Sequence, residues 1–341
     1  MPNLHDIERR IGSVTSTKQI TRTMEMVAAA KIRRATSRME QSIPWASALS
    51  EALQRTAQSA PEALEALSSR HDEVKRVALV IMTSDRGLAG GFNSTILRYA
   101  EGIIRDNKRN GIETDVISCG KKGHGYLQYR GIETVLAFQN LSADPTFDEA
   151  CEIAHYVYDA YMNGSIDKAL LLFNHAKNSA EQRLVKETLL PIPEERLSVL
   201  LGLNHHGSHD SVADEFADKH HVDVEFEPDA EITMRYLLRE FLSTEVYFAL
   251  VDSAAAEQGA RRSAMKSATD NANDMVETLT RLFNRERQGA ITTEINEIVG
   301  GAAALEAHSS GHIPDMFYSQ HLIRSSQGTG RYLHAYARLH P

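Results

Sequence analysis

The chain contains 341 residues, of which 42% are hydrophobic, 24% are charged and 6% are aromatic, and its formal net charge is −9. This length suggests about two domains, and the negative charge, without a basic patch interleaved with aromatic residues, argues against a nucleic-acid-binding protein. The two cysteines, Cys119 and Cys151, indicate no disulfide framework. The sequence contains no run of about 18 apolar residues, so no membrane span is predicted.

A first long helix is predicted over residues 1–60. Asn3 followed by Asp6 is a plausible N-cap arrangement. Apolar or small residues then recur at alternating intervals of three and four, which is typical of a coiled-coil stripe. Pro44 lies inside this segment, and we expect it to bend or locally distort the helix. The stripe consists of Leu4, Ile7, Ile11, Val14, Thr21, Ala28, Ile32, Ala35 and Met39.

A basic run lies in the middle of this helix. Lys31, Arg33, Arg34 and Arg38 occur without an acidic residue between positions 31 and 38. Such a run is found on solvated helix faces and also on surfaces that contact an acidic protein partner. The residues by themselves leave both interpretations open.

A small α/β domain is predicted over residues 73–200, after a polar linker that contains proline. The apolar run at residues 76–83 is typical of a buried strand. Because strands alternate with helices, the pattern favours a parallel sheet covered on both faces, in a Rossmann-like arrangement. The remaining predicted strands are 114–118, 134–137, 168–173 and a possible edge strand at 182–189, and the predicted helices are 93–110 and 146–163.

A glycine-rich turn, residues 83–93 (TSDRGLAGGFN), joins the first strand to the next helix. Phosphates bind in this context because backbone N–H groups and a helix N-terminus favour anions. The turn matches neither the dinucleotide nor the P-loop fingerprint, so a tight turn at a protein–protein surface is favoured over a nucleotide site. No other motif in the sequence indicates catalysis. The turn residues of interest are Asp85, Arg86, Gly87, Gly90, Gly91 and Asn93.

A histidine-rich segment, residues 201–227, is predicted to be a surface loop. Its histidines match no closed set of metal ligands, and no cysteine lies near them, so a metal site is the less favoured alternative. The five histidines are His205, His206, His209, His220 and His221.

A second long helix is predicted over residues 228–305, where no proline follows Pro228 until Pro314. Apolar or small residues again recur at intervals of three and four, which predicts that the two long helices pack antiparallel against each other. The stripe includes Leu237, Phe241, Phe248, Val251, Ala255, Met265, Ala272, Val276, Leu279 and Phe283.

The end of the second helix carries a further apolar stripe. Since this helix is longer than the first by about twenty residues, its end is expected to extend without a partner helix. A lone helix cannot bury such a stripe, so it is a frayed end, folds back, or enters a sleeve provided by another protein. Residues 306–341 show no periodicity and are expected to be disordered or weakly structured. The stripe consists of Ile291, Ile295, Ile298, Ala302 and Leu305.

Three segments resemble the signatures of the ATP synthase gamma subunit family. They are residues 20–31 (ITRTMEMVAAAK), the turn at 83–93, and residues 265–305, which begin MKSATDNANDM. They occur in the family's order, and the likeness covers about residues 3–305. The resemblance implies a long antiparallel two-helix coiled coil formed by the N- and C-terminal segments. A small Rossmann-like α/β domain, the foot domain, is inserted between them.

The resemblance implies a rotary function without catalysis. The paired helices would form a shaft inside a hexamer of alpha and beta subunits, and the foot domain would contact the epsilon subunit and the c-ring. Nucleotides would belong to the hexamer, so no cofactor is expected in this chain. Association with the cytoplasmic face of a bacterial cell membrane would arise only through the complex. The main alternative is a nucleotide-binding Rossmann-type enzyme with helical arms.

The resemblance also implies which residues couple the rotor to beta. Arg261 matches a family arginine that faces an acidic segment of beta. Gln288 and Thr292 lie four residues apart on one helix face and, with Arg287, match a polar catch on a beta loop. Ala89 stands where many relatives carry cysteine, so no thiol chemistry is expected there. The full set is Met24, Lys31, Arg33, Arg34, Arg261, Arg287, Gln288 and Thr292.

Overall fold

The fold, taken from a computed structural model, is described for residues 3–57, 61–68, 73–178, 181–193, 196 and 226–310. These residues belong to two compact units. The larger unit spans residues 15–273, and the smaller unit contains residues 3–14 and 274–310. The five histidines of the predicted loop and residues 311–341 lie outside the described residues.

A five-stranded sheet forms the centre of the larger unit. Its strands are β1 (Arg76–Met82), β2 (Glu113–Cys119), β3 (Leu136–Phe138), β4 (Lys168–Ala176) and β5 (Gln182–Leu190). Their order is β3-β2-β1-β4-β5, and the first four are parallel. This is the start of the strand order of a doubly wound fold, so the Rossmann-like prediction is confirmed at this level.

The strand β5 departs from the predicted parallel sheet because it pairs antiparallel with β4. Only five residues, 177–181, separate these two strands. A parallel neighbour needs a crossover of about a dozen residues or more, whereas a short connection returns the chain antiparallel. The prediction of a fully parallel sheet was therefore wrong at this edge.

Helices cover both faces of the sheet. On one face, α3 (Phe92–Arg109) and α4 (Lys121–Tyr129) pack on Val77, Leu79 and Ile81 of β1. On the other, α2 (Pro61–Ser68), α5 (Phe147–Met162) and the two long helices pack on Ala78, Val80 and Met82. Burial on both faces explains why β1 is a continuous apolar run. The sequence did not predict α2 or α4, since α2 is short and α4 carries two glycines.

The long helices are α1 (Leu4–Ala57) and α6 (Ala230–Ser310). The assigned helix α1 continues through Pro44. Every member of its predicted stripe is buried or half-buried, whereas Ile20, Met26 and Val27 beside the stripe are exposed. The assigned end of α6 lies five residues beyond the predicted end at 305, since Glu306–Ser310 continue the helix.

Hydrogen bonds join the long helices within the larger unit. The hydroxyls of Thr21 and Thr269 lie 2.7 Å apart, and Trp45 Nε1 donates to Thr244 Oγ1 at 3.3 Å. Thr21 precedes Trp45 on α1, whereas the partner of Thr21 follows the partner of Trp45 on α6, so the two helices run in opposite directions here. A further buried row on α6, which the sequence analysis missed, packs in the core of the sheet and consists of Met234, Leu238, Leu242 and Val246. None of the helices within the described ranges has the length and apolar character needed to cross a membrane.

Candidate functional site

The glycine-rich turn lies at the carboxyl end of β1, which is the edge where doubly wound folds bind ligands. Its own polar side chains hold its shape. Asn93 Oδ1 accepts from the Ser84 N–H at 2.9 Å, and Ser84 Oγ donates to the Arg86 carbonyl at 2.7 Å. Leu88 and Gly90 adopt positive φ angles of 65° and 56°. Because a bulky residue rarely occupies this conformation, the turn is a specified structure rather than a loose loop.

The carboxylate of Asp85 receives backbone donors from two other loops at this edge. Its Oδ1 accepts from the N–H groups of Lys121 at 2.9 Å and Asn140 at 2.8 Å, and its Oδ2 accepts from the Ser142 N–H at 3.0 Å. Burial acts to raise the pKa of Asp85, but these donors and the Ser142 hydroxyl outweigh burial, so the pKa lies below its ordinary value. Asp85 therefore occupies this edge as a carboxylate.

Helix α6 covers the turn from the other side. Its Ala256 and Ala260 form a small apolar cluster with Ala89 and Phe92. A Cβ added at Gly90 would meet the Cβ of Ala264 at 3.8 Å, so the turn and the helix approach closely.

Arg261 links this part of α6 to the turn by hydrogen bonds. Its Nη2 donates to the carbonyl oxygens of Arg86 and Gly87, both at 3.2 Å, and its Nη1 donates to Glu257 Oε1 at 2.6 Å. Arg261 is 7% exposed and Glu257 is 3% exposed. Burial raises the pKa of Glu257, and the positive charge of Arg261 opposes this shift. We call the turn at 83–93 with residues 256–264 of α6 the turn–helix junction.

The junction occupies the edge at which a dinucleotide-binding enzyme of this fold holds its ligand. The carboxylate of Asp85 places a negative charge beside the turn, and α6 packs over the turn. This geometry argues against the alternative of a nucleotide-binding enzyme. Within the ranges the structure describes, no group of three or more His, Cys, Asp and Glu side chains is arranged to hold a metal ion.

A cavity of about 290 Å³ lies beside the junction and brings predicted residues together. Met24 and Lys31 of α1 line it with Arg86, Gly87 and Arg261. A second cavity, of about 170 Å³, is lined by Lys31, Arg34 and Arg38 of the basic run together with Asp144. Arg38 forms an ion pair with Asp144, so part of the basic run already has an acidic partner within the chain.

The other predicted residues do not line these cavities and are exposed. Arg33 is exposed. In the smaller unit, Arg287, Gln288 and Thr292 are exposed, and the Thr292 hydroxyl donates to the Gln288 carbonyl of its own helix at 2.9 Å. Ile291, Ile295, Ile298 and Leu305 are 47–75% exposed, and Ala302 is also exposed.

The sequence analysis missed several residues in the junction or beside it. Asp252 Oδ2 lies 2.7 Å from His175 Nδ1, and its Oδ1 accepts from the Ala176 N–H at 3.0 Å, which ties the end of β4 to α6. Ser142 and Glu257 were also not singled out. The spacing of Glu257 and Arg261, one helical turn apart, was the one available signal in the sequence.

The comparisons with known proteins agree on one family. Residues 3–305 match the family model described as ATP synthase. The ATP synthase gamma chain of Cytophaga hutchinsonii is 39% identical over 308 residues, which cover 89% of this chain and 99% of that protein. The gamma chain of Desulforamulus reducens is 40% identical over 306 residues, covering 90% of this chain and 100% of that protein.

Solved structures give the same result. A chain from the central stalk and c-ring of the Tetrahymena thermophila mitochondrial ATP synthase has 26% identity and a TM-score of 0.52, covering 73% of this chain and 99% of that one. A chain from the Euglena gracilis mitochondrial ATP synthase has 17% identity and a TM-score of 0.59 over 92% of this chain and 98% of that one, which shows a shared fold. The chain belongs to the ATP synthase gamma chain family.

Proposed function

We propose that this chain is the rotary central stalk of an F-type proton-translocating ATP synthase and catalyses no reaction itself. The observation that carries the proposal is the turn–helix junction. In this junction the ligand-binding edge of the α/β domain is filled by Asp85 and by helix α6. A domain closed in this way is suited to transmit force to the helix rather than to bind a nucleotide.

The two long helices would form the shaft as an antiparallel coiled coil. The Thr21–Thr269 and Trp45–Thr244 hydrogen bonds support this arrangement within the larger unit, because their order is reversed between the helices. The heptad-like stripe of α1 and its burial support it further. The proposed division is a shaft of residues 1–60 and 228–305, a foot domain at 73–200, a loop at 201–227 and a tail at 306–341.

The junction would carry torque from the foot domain to the shaft. Arg261 holds the turn after β1, and Asp252 holds the end of β4, so α6 is bound to two neighbouring strands of the sheet. Directional hydrogen bonds of this kind resist sliding more than apolar contact alone, because displacement leaves buried charges and carbonyls without partners. The foot domain and this part of α6 would then turn as one body.

The surface beside the junction would contact the acidic segments of beta. Lys31, Arg34 and Arg86 line its cavities, and Arg33 is exposed close by in the sequence. A shaft that contacts conformers of beta unequally can shift their populations as it turns. The predicted contact of Arg261 with beta stays a prediction, and its internal partners support an indirect role, in which it holds Arg86 in position.

The remaining assignments follow the family. Arg287, Gln288 and Thr292 would form the polar catch, and the exposed apolar stripe at 291–305 would turn inside the sleeve of the alpha–beta hexamer. The foot domain would contact the epsilon subunit and the c-ring, at the cytoplasmic face of a bacterial cell membrane. No cofactor is assigned to this chain.

Co-expression with bacterial alpha and beta subunits tests the proposal. We expect native mass measurement to show a complex with three alpha, three beta and one copy of this chain, with nucleotide bound only to alpha and beta. Ile298→Asp tests the contact with the sleeve in the same experiment. This exposed side chain contributes little to the folding of the chain but would be buried in the sleeve. A chain that stays separate and binds ATP alone would contradict the proposal and favour the Rossmann-type enzyme.

A further inference from the structure

Asp85 is compensated in an unusual way for a partly buried carboxylate. Among the described residues no ion pair involves Asp85, and its donors are the backbone N–H groups of Lys121, Asn140 and Ser142 together with the Ser142 hydroxyl. Lys121 is the first residue of α4, and the other two lie in the loop that follows β3. Backbone N–H groups at helix N-termini and in turns are donors that proteins use to bind anions.

We propose that Asp85 is a built-in anion at this edge of the sheet, which holds the N–H groups of two other loops and positions the turn that receives Arg261. It is a positioning residue, since it acts through the backbone of the turn. The inference rests on the proposed function only where it concerns the coupling of ATP hydrolysis to proton pumping in the assembled complex.

The geometry requires a carboxylate at this position, and an uncharged side chain of the same size does not meet the requirement. One oxygen, Oδ1, accepts two N–H groups, and Oδ2 accepts a third. Hydrogen bonds to an ionised acceptor are roughly twice as strong as those between neutral groups. An amide at this position would turn its own NH₂ donor toward one of the backbone N–H groups, which leaves that group without an acceptor.

One bond to Asp85 comes from a residue with a positive φ angle. Asn140 donates its N–H to Asp85 and has a φ of 69°, a conformation that asparagine adopts more readily than other residues with a side chain. Leu88, three residues after Asp85 in the turn, has a φ of 65°, which a leucine keeps only where the surrounding structure imposes it. The carbonyl of Arg86, the residue that follows Asp85, accepts from Arg261. Loss of the carboxylate is therefore expected to move the acceptor of Arg261 as well as the loop.

Chemical rescue tests this inference in the full chain. Asp85→Ala removes the carboxylate and leaves a space that formate can enter, whereas Asp85→Asn removes the charge but fills the space. Thermal unfolding is measured in sodium formate and in sodium chloride at equal ionic strength. The exposed carboxylate of α5 provides the control, Glu152→Ala.

We expect the unfolding midpoint of Asp85→Ala to fall by about 5 °C in chloride and to recover by at least half in formate. Asp85→Asn should be destabilised equally in both salts, and the wild-type chain and Glu152→Ala should show no preference for formate. If formate and chloride act alike on Asp85→Ala, or if Asp85→Asn unfolds like the wild type, the proposal is wrong. If Asp85→Ala is insoluble in both salts, the unfolding midpoint of Asp85→Asn decides: a midpoint below that of the wild type supports the proposal, and an equal midpoint contradicts it.

The consequence for coupling is measured separately in the assembled complex. We expect Asp85→Ala to lower the number of protons pumped per ATP hydrolysed in reconstituted vesicles. A wild-type chain that fails to assemble with alpha and beta would contradict the proposed function. The formate effect on unfolding would still stand, so the two failures are distinguishable.

Discussion

Removal of the Arg261 guanidinium is the most informative perturbation of the turn–helix junction. Arg261→Met keeps an unbranched side chain of similar reach but deletes one bond to Glu257 and two to the carbonyls of Arg86 and Gly87. Glu257, 3% exposed, would then be a buried charge without its partner. Breaking one side of such a pair costs about 3–5 kcal/mol of unfolding free energy. We expect a loss in that range for the full chain.

The pH dependence of this loss has a defined sign. Burial already raises the pKa of Glu257 and Arg261 lowers it, so Arg261→Met should raise that pKa further. A carboxyl group with a raised folded-state pKa binds more protons folded than unfolded. The stability of the variant should therefore be greatest below the ordinary pKa of 4.5 and decline as the pH rises toward the raised value.

The assay is denaturant unfolding of the single variants Arg261→Met and Glu257→Gln and of the double variant. Because both changes remove one buried pair, their effects should not add, and the double variant should be more stable than the sum predicts. Single variants that unfold like the wild type, or strictly additive effects, would refute the reasoning that this pair holds the junction together.

Three further predictions follow from the described contacts. Thr269→Val should lower the unfolding free energy by about 1 kcal/mol in urea titrations, because the buried Thr21 hydroxyl loses a partner. The double variant Thr21→Val/Thr269→Val should lose less than twice the free energy that Thr269→Val loses, because no hydroxyl is then left without its partner. Ile298→Asp should leave the thermal midpoint of the full chain unchanged, since this side chain is 65% exposed, but should reduce ATPase activity in the assembled complex; normal activity would argue against a bearing role. The donors to Asp85 lower its pKa, so the contribution of its carboxylate to the unfolding free energy should be complete above the ordinary pKa of 3.8 and be lost as the pH falls through the folded-state pKa. The difference in unfolding free energy between the wild type and Asp85→Asn should therefore narrow in that acidic range. A difference that does not depend on pH would contradict this prediction.

The sequence predicted those elements whose pattern is local. The apolar run of β1 and the alternation of strands with helices led to the correct order of the strands from β1 to β4 and to helices α3 and α5. The heptad-like spacing in α1 identified a stripe that is buried or half-buried throughout. The direction of β5 was recoverable from the short connection between the predicted strands at 168–173 and 182–189, but α4 was not, because two glycines and few apolar residues obscure its helical pattern.

The junction was beyond sequence reasoning because its partners are distant in the chain. Arg261 donates to carbonyls 174 and 175 positions away, and the donors to Asp85 lie 36, 55 and 57 positions away. Main-chain donors and acceptors carry no residue identity, so no motif marks them. The glycine-rich turn singled out Asp85 and the resemblance to the family singled out Arg261, but neither identified the bonds that these side chains make.

Rotation of the foot domain under ATP hydrolysis tests the central claim most directly. Tyr129 is 86% exposed, so Tyr129→Cys offers an attachment point for a bead, in a Cys151→Ser background that leaves only the buried Cys119. With alpha and beta immobilised, we expect the bead to turn continuously in one direction while ATP is present and to stop when it is removed. A complex that hydrolyses ATP at the full rate while the bead shows no net rotation would contradict the account.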